Sequence, residues 1–346
     1  MVYLDYASTD YNLYPFNPNL YYANPNSAHG LGVLAHERLE KRREDIKSIL
    51  GIKSGVIAFG GTASELIYRL YVTTDSAIFM DSFHDHDCVH TLSVYHGTIE
   101  DMMNNNCNNK LYAHIHTNNI TGEVYDLEAL GRKIRADGGY FLVDTTASFG
   151  HAEIPSNLEE WCDCIVSSAH KYGGLGGTGF IWMSDRFIEH YWICELDEYN
   201  MNVGTPAINN IVHMVDALRF CHIYLKENNS YYEKLVNRLL TNLNKHGIIA
   251  NVVRGNAQKK TWAINAIMLQ GINADALVQY LSSKQIYISA GHSACEHDSD
   301  YRVLMADGLT REEAENTIRI SFGVNTAIAD IEALAQGIIE FKEKFV

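Results

Sequence analysis

Basic residues are in short supply in this chain. Its 27 lysines and arginines face 42 aspartates and glutamates, for a formal net charge of −15 at neutral pH. With no basic stripe to neutralise phosphates, nucleic acid is not expected as a direct partner, whereas a basic protein would suit the charge. Long apolar runs are absent as well. None approaches the length needed to span a bilayer, so no membrane partner is expected. Met1-Val2-Tyr3-Leu4-Asp5-Tyr6 leads directly into sequence that reads as folded, with no leader pattern, and a cytoplasmic location is expected. The seven cysteines (88, 107, 162, 164, 194, 221 and 295) are odd in number and lack framework spacing, which excludes a disulfide scaffold and points to reduced thiols. Metal-ligand spacing is missing too. Cys162 and Cys164 share one strand face with no further pair, His114 and His116 read as a buried strand, and no CxxC or HExxH accompanies His84, His86 and His90. Proline is rare, and three of the five (Pro15, Pro18 and Pro25) fall in a turn-rich N-terminal arm.

What remains has the make-up of a globular protein, 47% apolar and 20% charged over 346 residues, enough for one large domain and a smaller one. A charged helix is expected over about 33–50. Short β-rich runs follow at 56–59, 77–80, 111–116, 140–143, 164–167 and 179–183, separated by helical stretches such as 127–136. Strands alternating with helices imply an α/β fold with a mainly parallel sheet covered on both faces, and a ligand site where strand ends meet helix starts. Ile208, Ile211, Val215, Leu218 and Leu225 mark an amphipathic helix linking two units. The second unit reads as a helix near 231–245, strands at 248–253 and 264–269, a helix at 274–283, strands at 286–289 and 318–322, and a closing helix from Ala327. Asn104 to Asn109 reads as a polar surface turn.

Three local patterns carry chemistry. Ser167-Ser168-Ala169-His170-Lys171 is followed by Gly173-Gly174-Leu175-Gly176-Gly177-Thr178-Gly179. A lysine ending a small-residue turn can form a Schiff base with an aldehyde cofactor, and its small neighbours leave room for a flat ring. Asp144 closes the apolar run Tyr140-Phe141-Leu142-Val143. Buried there it needs a positive partner, which a protonated pyridine nitrogen would supply, although a helix N-cap before Thr145 and Thr146 is the plainer alternative. Gly60-Gly61-Thr62-Ala63-Ser64-Glu65 follows a strand and opens a helix, so its N–H groups and the helix dipole suit a phosphate. Together the three point to pyridoxal phosphate, with no metal.

From end to end the chain resembles the cysteine desulfurases of the class V aminotransferase group, fold-type I pyridoxal phosphate enzymes. Tyr3-Leu4-Asp5-Tyr6-Ala7-Ser8-Thr9 is similar to the family's YLDNAATT, Asn24-Pro25-Asn26-Ser27-Ala28-His29 to NPSSxH, and Gly61-Thr62-Ala63-Ser64-Glu65 to GATES. Asn118-Asn119-Ile120-Thr121-Gly122 resembles NNEIG, Val143-Asp144-Thr145-Thr146-Ala147 resembles VDATQ, and Ser168-Ala169-His170-Lys171 resembles SGHK. Gly204-Thr205-Pro206, Ser293-Ala294-Cys295 and Thr317 to Gly323 resemble GTP, SAC and SIRISFG. The resemblance implies a large domain (21–228) with a seven-stranded-type sheet. It also implies a small α+β C-terminal domain (229–346) and an arm (1–20) packing on that small domain. It implies that Lys171 holds the cofactor, that Asp144 pairs with the ring nitrogen, and that Thr62, Ala63, Ser168 and His170 hold the phosphate. Asn119 would lie near the ring oxygen and the substrate. Thr205 would reach in from a second subunit, so a homodimer is implied. His86 would stack on the ring, chosen over His84 because Asp85-His86-Asp87-Cys88-Val89 aligns with the family's EHKAV. Arg319 would bind the substrate carboxylate. Cys295 would be the nucleophile, its thiolate taking sulfur from L-cysteine, releasing L-alanine and passing a persulfide to an acceptor protein.

The chain departs from the pattern in four places. Ala147 stands where the family has glutamine, Asn202-Val203 replaces the arginine before GT, and Ile120 replaces the glutamate of NNE. His292 is inserted before Ser293, with a segment after Cys295 that looks shorter than in long-loop desulfurases. The Lys171, Asp144 and Cys295 chemistry survives these changes. Two other readings stand beside the desulfurase: a related class V enzyme such as a selenocysteine lyase or an aminotransferase, and a degenerate scaffold without turnover. An aminotransferase would have no use for Cys295.

Overall fold

The computed structural model of the chain describes residues 1–10, 23–74, 78–81, 84–85, 93–194, 196–255, 259–292 and 301–346, without the side chains of 93–96, 196–197 and 224–227. In chain order its strands are β1 (Val2–Tyr3), β2 (Val56–Gly60), β3 (Ile78–Asp81), β4 (Ser93–Gly97), β5 (Leu111–Ile115), β6 (Glu123–Val124), β7 (Tyr140–Asp144) and β8 (Cys164–Ser168). There follow β9 (Gly179–Met183), β10 (Ala250–Val252), β11 (Lys259–Lys260), β12 (Ile264–Leu269), β13 (Ile286–Tyr287), β14 (Ser289–Ala290) and β15 (Thr317–Ser321).

The apolar runs at 140–144, 164–168 and 179–183 are buried at every position because they lie inside one seven-stranded sheet. Its order is β2-β9-β8-β7-β5-β3-β4, and β9 alone runs against the others. Side chains alternate between its faces. Phe141 and Val143 join Tyr112, Ile165 and Trp182 on one side, while Tyr140 and Leu142 join Leu111, Val166 and Ile181 on the other. Helices Gly30–Leu50 and Glu128–Ala136 contribute to the first layer, and helix Ala63–Thr74 to the second. The seventh strand, β4, was not expected. Its run Ser-Val-Tyr-His-Gly is short and histidine-bearing, and only its edge position beside β3 makes it a strand.

The separate helix expected near 231–245 is corrected. A single helix, Ile208–Lys245, runs 38 residues without glycine or proline. The polar stretch Lys226 to Ser230 carries helix-compatible residues, so nothing in the backbone stops the helix there. Its first half packs in the core around the large sheet (Ile211, Val215, Leu218). Its second half (Leu235, Val236, Leu239, Leu243) packs in a separate core around the sheet β10-β12-β15-β14. The pair β1–β13 places the N-terminal strand on that second unit, and Asp5 bridges to Ser321.

Candidate active site

The register sets the site. Gly60 of β2 lies opposite Gly179 of β9, and Gly179 lies opposite Ser168 of β8. Asp144 of β7 pairs with Val166 and with Ile115 of β5. The phosphate-type turn, the lysine turn and the aspartate therefore share one edge of the sheet, where parallel strands end and ligands bind in such folds. At Gly179 a Cβ would lie 2.6 Å from the Ser167 carbonyl, so this close approach needs glycine.

Helix Ala63–Thr74 opens at this edge. The Thr62 hydroxyl accepts from the Glu65 N–H at 3.1 Å, and the Ala63 N–H donates to Ser168 Oγ at 2.7 Å. Glu65 is tied to Arg69 at 2.8 Å, which offsets its charge beside the helix start. Thr62, Ala63 and Ser168 are thus brought together around a helix N-terminus. Asp144 is 7% exposed. One of its oxygens accepts from the Thr146 N–H at 2.8 Å, and among the described residues no cation faces it. A buried carboxylate without a cation is costly, and a pyridinium is the kind of partner that would relieve it. On this ground the residues present fit the cofactor.

Lys171 follows β8 directly, in a short 3-10 turn. Its Nζ donates to the Ala7 carbonyl at 2.6 Å, and the Ala7 N–H donates to Ser321 Oγ at 2.7 Å. His170 Nδ1 lies 3.1 Å from Thr9 Oγ1. Burial, with the nearby Lys171 charge second, pulls His170 down to about 4, and does the same for His151. His116 also falls to about 4, through burial and then the charge of His114. All three are neutral at physiological pH.

Arg319, 1% exposed on β15, is already engaged. Its Nη2 donates to Asp5 at 2.9 Å, to Ser289 Oγ at 3.1 Å and to Ser8 Oγ, and its Nη1 donates to the Asn119 carbonyl at 3.1 Å. Among the described residues its Nε finds no acceptor. Arg319 and Asn119 therefore meet, through the Asn119 backbone. Thr205 stands exposed, its hydroxyl accepting from the Asn24 side chain at 3.2 Å, and among the described residues no hydrogen bond joins it to the other expected site residues. Cys295 and His86 lie outside the described residues. His292 reaches Asp275 at 3.3 Å and packs edge-on against Tyr301.

Sequence reasoning missed Asp5, Ala7 and Ser8 as contacts of Arg319 and Lys171, although they sit in an already conspicuous motif. It also missed His151, and a buried group made of Asp81, His84, Asp85, His114 and Asp307. His84 Nδ1 lies 3.1 Å from Asp81 and its Nε2 3.3 Å from Asp307. Spacing alone does not bring residue 307 to residue 84.

A family model described as aminotransferase class-V matches residues 94–334, and the chain belongs to that family. Within it, the chain is similar to the cysteine desulfurase IscS of Mannheimia succiniciproducens, 31% identical over 224 residues that cover 63% of this chain and 54% of that protein. It is also similar to the putative cysteine desulfurase IscS 1 of Bacillus subtilis, at 23% over 92% of this chain and 91% of that one. The first alignment thus spans about half the length of the curated relative it matches. Among solved structures, the NifS-like protein of Rickettsia africae superposes with a TM-score of 0.83 at 24% identity, covering 99% of both chains. SspA in complex with cysteine superposes with a TM-score of 0.71 at 21% identity, over 94% of this chain and all of that one. The expected fold-type I architecture is the one observed.

Proposed function

We propose that the protein is a pyridoxal phosphate-dependent cysteine desulfurase, taking sulfur from L-cysteine, releasing L-alanine and holding the sulfur on Cys295. The observation that carries the cofactor part is Asp144, buried with no cation among the described residues, at the sheet edge that also presents Lys171 and the Thr62–Ala63–Ser168 cradle. The desulfurase part is supported by the thiol in Ser293-Ala294-Cys295 and by relatives named cysteine desulfurase. Thr62, Ala63, Ser168 and His170 would hold the phosphate, Asp144 the ring nitrogen, Lys171 the aldehyde carbon, and His86 the ring face. Bound there, the cofactor supplies an electron sink for the substrate's α-carbon.

The rest falls to the chain's own groups. Lys171 Nζ donates to the Ala7 carbonyl, and the two histidines that feel its charge, His170 and His151, are neutral, a setting in which its amine takes a proton from the substrate α-carbon and returns it. Arg319 receives the substrate carboxylate through Nε, and an Nη2 shared with Asp5 completes the fork. Asn119 lies beside it. The Cys295 thiolate attacks the substrate sulfur: an S–S bond forms, the C–S bond breaks, and the substrate carbon gains the proton that makes alanine. One persulfide sulfur then passes to an acceptor protein.

Thr205 is exposed in the single chain beside Val203, itself 69% exposed, which suits a residue completed by a second copy. A homodimer acting in the cytoplasm completes the proposal, and sedimentation of an active, cofactor-bound monomer would contradict the dimer. The function is tested with L-cysteine and two variants. The wild type is expected to be yellow and to release alanine. Cys295→Ser should stay yellow and bind cysteine without releasing alanine, because a hydroxyl is not ionised near neutral pH. Lys171→Ala should lose both colour and activity. Alanine release by Cys295→Ser at the wild-type rate would favour a lyase instead.

A further inference from the structure

The strongest unassigned feature of the molecule is the buried charged group at the seam between its two units. Asp81 ends β3, and Asp307 directly follows helix Arg302–Ala306 of the other unit. Their side chains are only 5% and 1% exposed, and the ring of His84 lies between them, 3.1 Å from one and 3.3 Å from the other. A second link crosses the same seam, since Arg302 Nη2 donates to the Asp85 carbonyl at 2.8 Å. The groups facing His84 come from every neighbouring element. His114 of β5 lies 3.6 Å from Asp81, a charge contact rather than a hydrogen bond. Asn118 Nδ2 reaches the His84 carbonyl at 3.5 Å. Tyr125 lays its ring 5.9 Å from that of His84, with its hydroxyl on Glu123, and the Lys260 charge acts on Glu123 and Asp307.

The two carboxylates hold His84 protonated against the opposing effect of burial, pushing it up to about 10. The imidazolium in turn, with His114, holds Asp81 well below the usual carboxylate range. Charges removed from water hold a seam no better than apolar packing would, but they fix one geometry. The two chain segments they fix are informative. Asp85 is followed at once by His86, and Arg302 is the second residue after the stretch containing Cys295.

We propose that His84 is a positioning residue: the Asp81–His84–Asp307 bridge docks the end of the cysteine-bearing segment against the strand end that leads into His86. The proposal rests on the desulfurase reading for its consequence, and its geometry is independent of that reading. Both ring nitrogens of His84 lie on carboxylates, Asp81 and Asp307. It acts by fixing Asp85 and the helix Arg302–Ala306, the described segments that border in sequence the stretches carrying His86 and Cys295.

The test uses the purified full chain with His84→Ala, Asp307→Ala and the double variant. Amide hydrogen exchange is read with and without cofactor, beside kcat and KM for L-cysteine. Each single variant is expected to speed exchange at residues 303–308 roughly tenfold, the size of one lost charge-assisted hydrogen bond. Exchange in β7 and β8 should not change. The double variant should be no faster than either single, because one bridge is lost in all three. kcat should fall roughly tenfold while KM and the cofactor absorbance hold. The proposal is overturned by unchanged exchange at 303–308, by additive effects in the double variant, or by acceleration spread over the whole chain. If the alanine variants do not fold, His84→Gln and Asp307→Asn replace them under the same criteria. Should the wild type release no alanine, the desulfurase reading fails while the exchange measurements still decide on the bridge.

Discussion

Lys171 shares its surroundings with two histidines that never charge near neutral pH. Burial is the larger cause of their low values and the lysine's own cation the second. Removing that cation in Lys171→Ala should raise the His151 value above about 4, while burial keeps it below that of a solvated histidine. The His151 ring resonances followed against pH check this, and no movement would mean the lysine charge is not felt there. Asp144→Asn keeps the shape and removes the charge. Loss of one partner of a buried charge pair costs about 2–5 kcal/mol, so cofactor affinity should fall by that order while the fold survives. Titration of the cofactor-free protein with pyridoxal phosphate measures it, and unchanged affinity would remove Asp144 from its role. At this scale much of the site was legible. Lys171, Asp144 and the Thr62 turn are each conspicuous because a charged or small residue interrupts an apolar pattern. Asp5, His84 and Asp307 were not, because their importance comes from partners hundreds of residues away in the chain, a distance no local pattern encodes.

Elements were legible to the extent that burial wrote them. Strands β7, β8 and β9 are buried throughout and appear as unbroken apolar runs, and helix Ala274–Ser283 stands where the sequence placed it. The edge strand β4 and the continuity of helix Ile208–Lys245 were hidden for opposite reasons. An edge strand needs no apolar run, and a helix can cross a polar stretch when nothing stops its backbone. That helix joins two cores, so a cavity in either half should weaken the protein. Leu239→Ala, at a side chain with no exposure, is expected to cost about 2–5 kcal/mol in urea unfolding. A loss under 1 kcal/mol would mean that the second core collapses around the gap. The cap is a smaller matter. Thr62→Ala should cost about 0.5–2 kcal/mol before any effect on cofactor.

For the whole molecule, the chain's first ten residues stitch the two units together. β1 pairs with β13, Asp5 holds Arg319, and Ala7 receives Lys171. Stability should follow pH from both sides. His116 and His151, held near 4 in the folded chain, stay neutral while the unfolded chain takes up protons below about 6.5, so stability falls as pH drops from there towards 4. His84, raised to about 10, works in the other direction. Its contribution is complete below about 6.5 and is lost as pH rises towards 10. Urea unfolding against pH should therefore show a maximum near neutrality, and the alkaline side should flatten in His84→Ala. Lys260, pulled down to about 8 by burial, works the other way above that pH, so the sign of the bridge is read from the difference between wild type and His84→Ala, and a difference that grows from pH 7 to 9 would contradict it.

The central claim concerns where the sulfur goes. Purified protein mixed with sulfur-labelled L-cysteine, trapped with a persulfide-reactive reagent and mapped by peptide mass spectrometry, tests it most directly. The account predicts one labelled persulfide per chain, on Cys295, formed in step with one alanine. The buried thiols of Cys162, Cys164 and Cys221, pushed up by burial, should carry none. Alanine without a persulfide, or label on a cysteine other than Cys295, would contradict it.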